Sequence, residues 1–234
     1  MTKIKSEMIP LPISVASADR KDCVSCGLFT RCTTPFMRPY VPVGWSRKFL
    51  GVGEAPGEHE DVTSHSPFTG PAGSVLWTLV NQTGMTQDFA LTNAVICRPI
   101  KNATPTMKQI RACRPFLLYV IETLHPENII AFGDTALRAL RNLGNLGVTE
   151  HRGRLQPIPN VTYQPRCWAT YHPAACLYPG GVGLRDRILR DLGRTWDWLP
   201  EPQHDPDPTG DVVAVDTEYS KDGGLLCVET LSAQ

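Results

Sequence analysis

KFLGVGEAPGEHEDVTSHSPFTGPAG, Lys48 to Gly73, is the stretch on which the reading of this chain turns. It opens with Phe49-Leu50-Gly51-Val52-Gly53, too short and too glycine-rich for a helix, which reads as a buried strand. It then turns at Glu54-Ala55-Pro56-Gly57 and carries four carboxylates within eight residues, Glu54, Glu58, Glu60 and Asp61. Past Phe68, near Pro71, a helix begins. A solvated acidic loop would look like this. So would a ligand site, because in an open α/β sheet ligands bind beyond the strand ends.

Working outward, the rest of the chain repeats the same strand-then-helix rhythm. A helix spans about Ala72 to Gln82, with Val75, Leu76, Leu79 and Val80 on one face and Gly84 past its end. A second strand covers Phe89 to Val95. Thr106-Met107-Lys108-Gln109 is a capping-box start, and the helix that follows carries Ile110, Cys113, Leu117, Val120, Ile121 and Leu124 until Pro126 stops it. A third strand, Asn128 to Phe132, meets a helix running to about Leu143. A fourth, Cys167 to Tyr171, ends on His172-Pro173, and an amphipathic helix runs from about Leu184 to Trp198. This alternation predicts a three-layer α/β/α fold with a mainly parallel central sheet.

Composition and charge narrow the function. The 234 residues suffice for one good-sized core and a fragment of a second unit. Net charge is zero, yet residues 1–198 hold 22 Lys+Arg against 15 Asp+Glu, and residues 199–234 hold 1 against 8. A basic body suits an anionic partner such as nucleic acid. No apolar run is long enough to span a bilayer, and Pro10 and Pro12 interrupt the N-terminal apolar stretch, so a secretory leader is not expected. The expected location is the cytoplasm, where thiols stay reduced and clustered cysteines point to metal or catalysis.

Eight cysteines are present. Cys23 and Cys26 form a CxxC on what reads as a loop. Cys97 leaves the second strand, and Cys113 lies in the first turns of the next helix, so the two pairs can converge. Four thiolates can hold Zn²⁺ or an iron–sulfur cluster, and the spacing does not choose between them. Cys32, Cys167, Cys176 and Cys227 read as packing residues.

Asn93 and His172 stand at or just past strand ends, on the same sheet edge as the acidic loop. A carboxamide offers a donor and an acceptor together, as needed to read a pyrimidine's edge. An imidazole can donate to an oxygen that gains charge as a base departs, and Phe68 gives a flat ring something to stack on.

These residues carry a resemblance. Gly53-Glu54-Ala55-Pro56-Gly57, Glu60-Asp61, Pro67-Phe68-Thr69-Gly70 and Ala72-Gly73 resemble the first motif of the family 4 uracil-DNA glycosylases. Leu91-Thr92-Asn93-Ala94-Val95, Cys97-Arg98-Pro99, Thr104-Pro105-Thr106 and Ala112-Cys113-Arg114-Pro115 resemble that family's central block, and Thr170-Tyr171-His172-Pro173-Ala174 its closing motif. The resemblance implies a 4Fe–4S cluster on Cys23, Cys26, Cys97 and Cys113. It also implies a monomeric, monofunctional DNA glycosylase that flips uracil out of DNA and hydrolyses its N-glycosidic bond in base-excision repair. Phe68 would then stack on the base, Asn93 would bond its edge, and His172 would face the oxygen that becomes anionic. Glu54, with the backbone around Ala55, would line the pocket near the attacking water, with Glu60 as a helper.

Two stretches depart from the family's pattern. Val62 to Ser66 is a longer link than usual and lacks its glycine. The Ala174 to Gly181 loop differs after His172-Pro173, with Leu177 the expected wedge into the minor groove.

The expected domain plan is a glycosylase-like domain over 1–198, an acidic proline-rich linker over 199–211, and an incomplete segment over 212–234. Val213-Ala214-Val215-Asp216-Thr217-Glu218 and Leu225 to Val228 resemble the start of a DEDD-type 3′–5′ exonuclease, where two carboxylates on one strand face share Mg²⁺ ions. The remaining acids of that set are absent, so the expectation is a fused or associated polymerase or exonuclease rather than nuclease activity here. A rival expectation makes the chain a catalytically weak uracil- or DNA-binding tether for such an enzyme.

Overall fold

Phe49–Gly53 forms the first strand of the central sheet (β1), with all five residues buried. A parallel strand covered on both faces takes apolar or small residues in both directions, which is why its sequence shows no alternation. Phe89–Asn93 (β2) pairs parallel to it, from Phe49 opposite Phe89 to Gly53 opposite Asn93. On the other side of β1 run Asn128–Phe132 (β3) and then Arg166–Thr170 (β4), both parallel, giving the order β2-β1-β3-β4. The structure is a computed structural model that describes residues 6–7, 19–181, 183–195, 217–219 and 225–228.

Six α-helices accompany the sheet among the described residues: Lys21–Cys26 (α1), Pro71–Gln82 (α2), Met107–Leu124 (α3), Gly133–Arg141 (α4), Val148–His151 (α5) and Leu184–Thr195 (α6). Successive strand residues point to opposite faces. Leu50, Val52, Ile129 and Ala131 therefore pack with Phe116, Leu117, Val120 and Ile121 of α3 and Leu137 and Leu140 of α4. Phe49, Phe89, Ile130 and Phe132 pack instead with Leu76 and Leu79 of α2 and Ile188 and Leu192 of α6. The three-layer α/β/α fold is as the sequence predicts.

Local signals acted as expected in several places. Thr106 and Gln109 form the capping box of α3, with Gln109 N donating to Thr106 Oγ1 at 3.3 Å and Thr106 N to Gln109 Oε1 at 2.8 Å. His125, in the left-handed region, closes α3 just before Pro126. Elsewhere the structure corrects the reading. The CxxC lies on α1 rather than on a loop, because a helix there carries Asp22 in its first turn and buries Cys23. The link after Glu60 is a π-helical turn, Glu60–Ser64, ended by His65 in the left-handed region. β2 stops at Asn93, two residues early, although Ala94 N and Val95 N still donate to Gly53 O and Glu54 O.

The chain forms two compact units, Met1–Glu201 and Pro202–Gln234. In the first, Ser6–Glu7 of the expected irregular arm pairs antiparallel with Val41–Pro42. In the second, Thr217–Tyr219 pairs antiparallel with Leu225–Val228. Asp216, the 199–211 linker and residues 196–198 lie outside the described residues. No helix of the described residues is long and apolar enough to cross a membrane.

Strand order places the site. The chain leaves β1 for β2 on one side, then crosses to β3 on the other, so a crevice opens beyond the carboxyl ends of β1 and β3.

Candidate active site

Glu54 follows β1, Asn93 ends β2, and His172 lies two residues past β4, so three parallel strands deliver three polar side chains to one edge. There they line a single cleft with Ala55, Glu60 and Phe68, holding about 590 Å³ of empty space, its open mouth included. Every residue expected to touch the base or sugar is brought together, Leu177 excepted. Leu177 is 50 % exposed and lines an adjoining open groove with His59, Thr69 and Arg185.

Phe68 reaches the cleft through a local device. Its backbone is left-handed (φ 56°), and its carbonyl lies so close to α2 that a Cβ on Gly73 would sit 1.9 Å from Phe68 O. Gly73 therefore sets the approach of the Pro67-Phe68 turn to the helix. The ring packs edge-on to Phe132 (centroids 5.8 Å) and lies nearly parallel to the His172 ring at 6.0 Å and 25°. Gly53 completes the floor, since a Cβ there would lie 2.5 Å from both Asn93 Oδ1 and Phe68 Cζ. Any larger residue at the end of β1 would push both groups out of the cleft.

Asn93 is only 5 % exposed. Buried amides are normally satisfied, and among the described residues none hydrogen-bonds its side chain, so its donor and acceptor are left for a ligand or water. His172 caps the short 3₁₀ turn Pro173–Leu177, with Nδ1 accepting from Ala174 N at 3.2 Å. That bond leaves the ring proton of the neutral form on Nε2. Burial in the cleft wall pushes the imidazole down to about 4, so it is a neutral donor at pH 7.

Two carboxylates are held from behind. Thr135 Oγ1, on the first turn of α4, donates to Glu54 Oε2 at 2.6 Å across the β1/β3 crevice. Glu60 Oε2 accepts from Gly57 N at 2.5 Å, which folds the Glu54–Gly57 turn back on itself. Sequence reasoning missed Thr135: a lone threonine after Gly133-Asp134 carries no signal until the strands are ordered. It named Asp61 but gave it no role; at 2 % exposure Asp61 accepts from Thr33 N (3.1 Å) and Thr34 N (2.7 Å) and fixes the acidic loop to the segment after Cys32.

Away from this cleft, Cys23, Cys26, Cys97 and Cys113 line one cavity of about 340 Å³, its mouth included. The rest of its lining is apolar: Leu28, Phe29, Phe36, Ile96, Ala112 and Phe116. Among the described residues no three His, Cys, Asp or Glu side chains converge closely enough for a single ion. The thiols instead stand around a space. Soft thiolates in an apolar shell are the donor set that iron–sulfur clusters use, so these residues fit such a group. Burial pushes the Cys113 thiol up to about 12 and raises that of Cys26. Cys32 does more than pack. Its thiol donates to Phe29 O at 3.8 Å, and its interaction with the Cys97 thiol holds Cys97 up and Cys32 down. Cys167 and Cys176 are buried, as expected of packing residues.

A parallel sheet with a polar, aromatic-floored pocket at its crossover crevice defines a class: α/β proteins that hold a flat polar ligand beyond their strand ends. Within that class, residues 44–193 match the family model of the uracil DNA glycosylase superfamily. The Type-4 uracil-DNA glycosylase of Thermotoga maritima is 34 % identical over 191 residues, covering 80 % of this chain and 94 % of that protein. That of Pyrobaculum aerophilum is 37 % identical over 184 residues, covering 74 % and 87 %, and that of Archaeoglobus fulgidus 32 % over 162, covering 67 % and 78 %. The chain belongs to the uracil DNA glycosylase superfamily, and these three relatives are Type-4 members.

Proposed function

We propose that this chain is a monofunctional uracil-DNA glycosylase. The observation that carries the proposal is the gathering of Glu54, Phe68, Asn93 and His172 around one cleft, with the Asn93 amide free for a ligand. A uracil flipped from the stack lies against Phe68, and its amide-like edge exchanges hydrogen bonds with Asn93. As the bond from the sugar's C1′ to N1 breaks, its electron pair leaves with the base. His172 Nε2–H donates to the base oxygen where that charge gathers. A neutral donor suits this task, because it stabilises the anion without being consumed as an acid. The Glu54 carboxylate, held by Thr135, faces the cationic sugar and orients the water whose oxygen bonds to C1′ and whose released proton returns the uracil anion to neutral uracil. Glu60 keeps the Glu54–Gly57 turn in place, and Leu177 fills the space left in the duplex.

The same reading gives Cys23, Cys26, Cys97 and Cys113 to a 4Fe–4S cluster. When bound it supplies iron–thiolate bonds joining α1 to α3 and to the loop after β2. Thiol ligands and a DNA substrate support the reading of a reducing, cytoplasmic compartment. Asp216-Thr217-Glu218 extends the reading to a fused or associated exonuclease or polymerase.

Release of free uracil from uracil-containing single- and double-stranded DNA tests the proposal, with Asn93→Ala and His172→Ala beside wild type. Each variant is expected to lose roughly 10²–10³ in single-turnover rate, the usual cost of one oxyanion donor. Tight, salt-sensitive DNA binding by wild type with no uracil released would sink the enzymatic reading and favour a tethering module.

A further inference from the structure

We infer that Arg98 is a positioning residue that sets the spacing between two walls of the base pocket and ties both to the cysteine-bearing segment. The inference rests on the uracil reading of that pocket.

Arg98 directs its three nitrogens at three partners. Nε donates to Asn102 Oδ1 at 2.7 Å, Nη2 lies 3.5 Å from Glu58 Oε2, and Nη1 lies 3.7 Å from Asp61 Oδ2. Asn102 belongs to the wall formed by Pro99, Asn102 and Ala103, whereas Glu58 and Asp61 belong to the acidic loop that carries Glu54 and Glu60 on the facing wall. Asp61 in turn holds Thr33 and Thr34 by their amides, and Thr34 Oγ1 donates back to Asp61 O at 2.6 Å. Cys32 and Cys97 are the chain neighbours of Thr33 and Arg98. One guanidinium thus joins the two lips of the pocket to the segments that approach the cysteine cavity.

The Asn102 lip needs such a hold. Lys101 and Asn102 are both left-handed (φ 53° and 55°), a conformation that costs non-glycine residues and persists only where the surroundings over-determine it. The Arg98–Asn102 bond is the side-chain contact that fixes it. A lysine could balance the charge of Asp61, but a single ammonium cannot also reach Asn102 and Glu58 in the fixed fork of a guanidinium. Arg98 does not itself line the pocket, so it acts through the walls.

The test uses the full chain, as wild type, Arg98→Met and Arg98→Lys. Steady-state uracil release, inhibition by free uracil, thermal unfolding and amide hydrogen exchange are measured on each. Both variants are expected to raise KM and the inhibition constant of uracil roughly tenfold, the scale of one charge-assisted hydrogen bond, with kcat changing much less. Arg98→Lys is expected to recover the melting midpoint but not KM, and exchange is expected to quicken at residues 99–103 in both. Wild-type KM in Arg98→Lys would show that charge alone matters and overturn the inference. So would unchanged exchange at 99–103. If wild type releases no uracil, the uracil reading fails by itself, and hydrogen exchange still decides whether Arg98 holds the lip.

Discussion

Thr135 Oγ1 and Glu54 Oε2 meet at 2.6 Å across the crevice between β3 and β1, two strands that are far apart in sequence and adjacent in the sheet. The bond aims the carboxylate into the cleft. Among the described residues it is the one side-chain hydrogen bond made by the Glu54 carboxylate.

Thr135→Val removes that donor while keeping the side chain's shape. Uracil release in a single turnover is expected to fall roughly tenfold, since hydrogen bonds to charged groups contribute about 1.5–3 kcal/mol and part is recovered through water. Thr135→Ser should restore the rate. Rapid-quench kinetics on both variants, with circular dichroism to confirm folding, decide the point.

Gly53→Ala tests the packing of the pocket floor. The new methyl would lie 2.5 Å from Asn93 Oδ1 and Phe68 Cζ, so both must shift. A stability loss of about 1–3 kcal/mol is expected from overpacking, with uracil release falling far more than stability. Denaturant unfolding and the release assay, run together, separate the two effects.

His172 gives a pH signature. Its folded value of about 4 lies below the ordinary histidine value near 6.5, so the unfolded chain takes up the proton first as pH falls. The stability tied to the neutral ring is complete above about pH 6.5 and is lost as pH falls from there toward about 4. Wild type should therefore lose melting temperature more steeply over that window than His172→Gln. ¹⁵N spectra of the ring should show a neutral, Nε2-protonated imidazole at pH 5.

The cysteine cavity is tested by colour and by melting. Protein purified without oxygen is expected to show the broad visible absorption of an iron–sulfur centre, and Cys23→Ala or Cys113→Ala to lose it. Losing a staple worth about 3 kcal/mol would lower the melting midpoint by roughly 10 °C in a domain of this size. Asn93→Ala should keep the colour, because it lies in the other cavity.

Much of the molecule is written locally. Fully apolar strands, the Thr106/Gln109 capping box and the Pro126 stop depend on near neighbours, and the structure reproduces them within a residue or two. That Glu54, Asn93 and His172 share one sheet edge was also legible, because they sit at or just past strand ends that the sequence marks, whereas Phe68 and the four cysteines ride on turns, loops and helices and were singled out by spacing and resemblance. Where the reading slipped, the deciding contacts were distant. The CxxC is helical where α1 packs against α3, and Glu60–Ser64, a turn that no local signal marks, is π-helical with its Asp61 holding Thr33 and Thr34.

The sequence by itself determined which side chains are available and on which elements they ride, since helix and strand periodicity, caps and turns are short-range matters. Only the tertiary structure decided which of them share a cavity. The crossing of the chain from β2 over β1 to β3 is a property of sheet order and brings Thr135 to Glu54, while the pairing of β2 with β1 brings Arg98 to Glu58 and Asp61. No local pattern encodes such pairings, because the free energy that selects them comes from burying the two faces of the whole sheet at once.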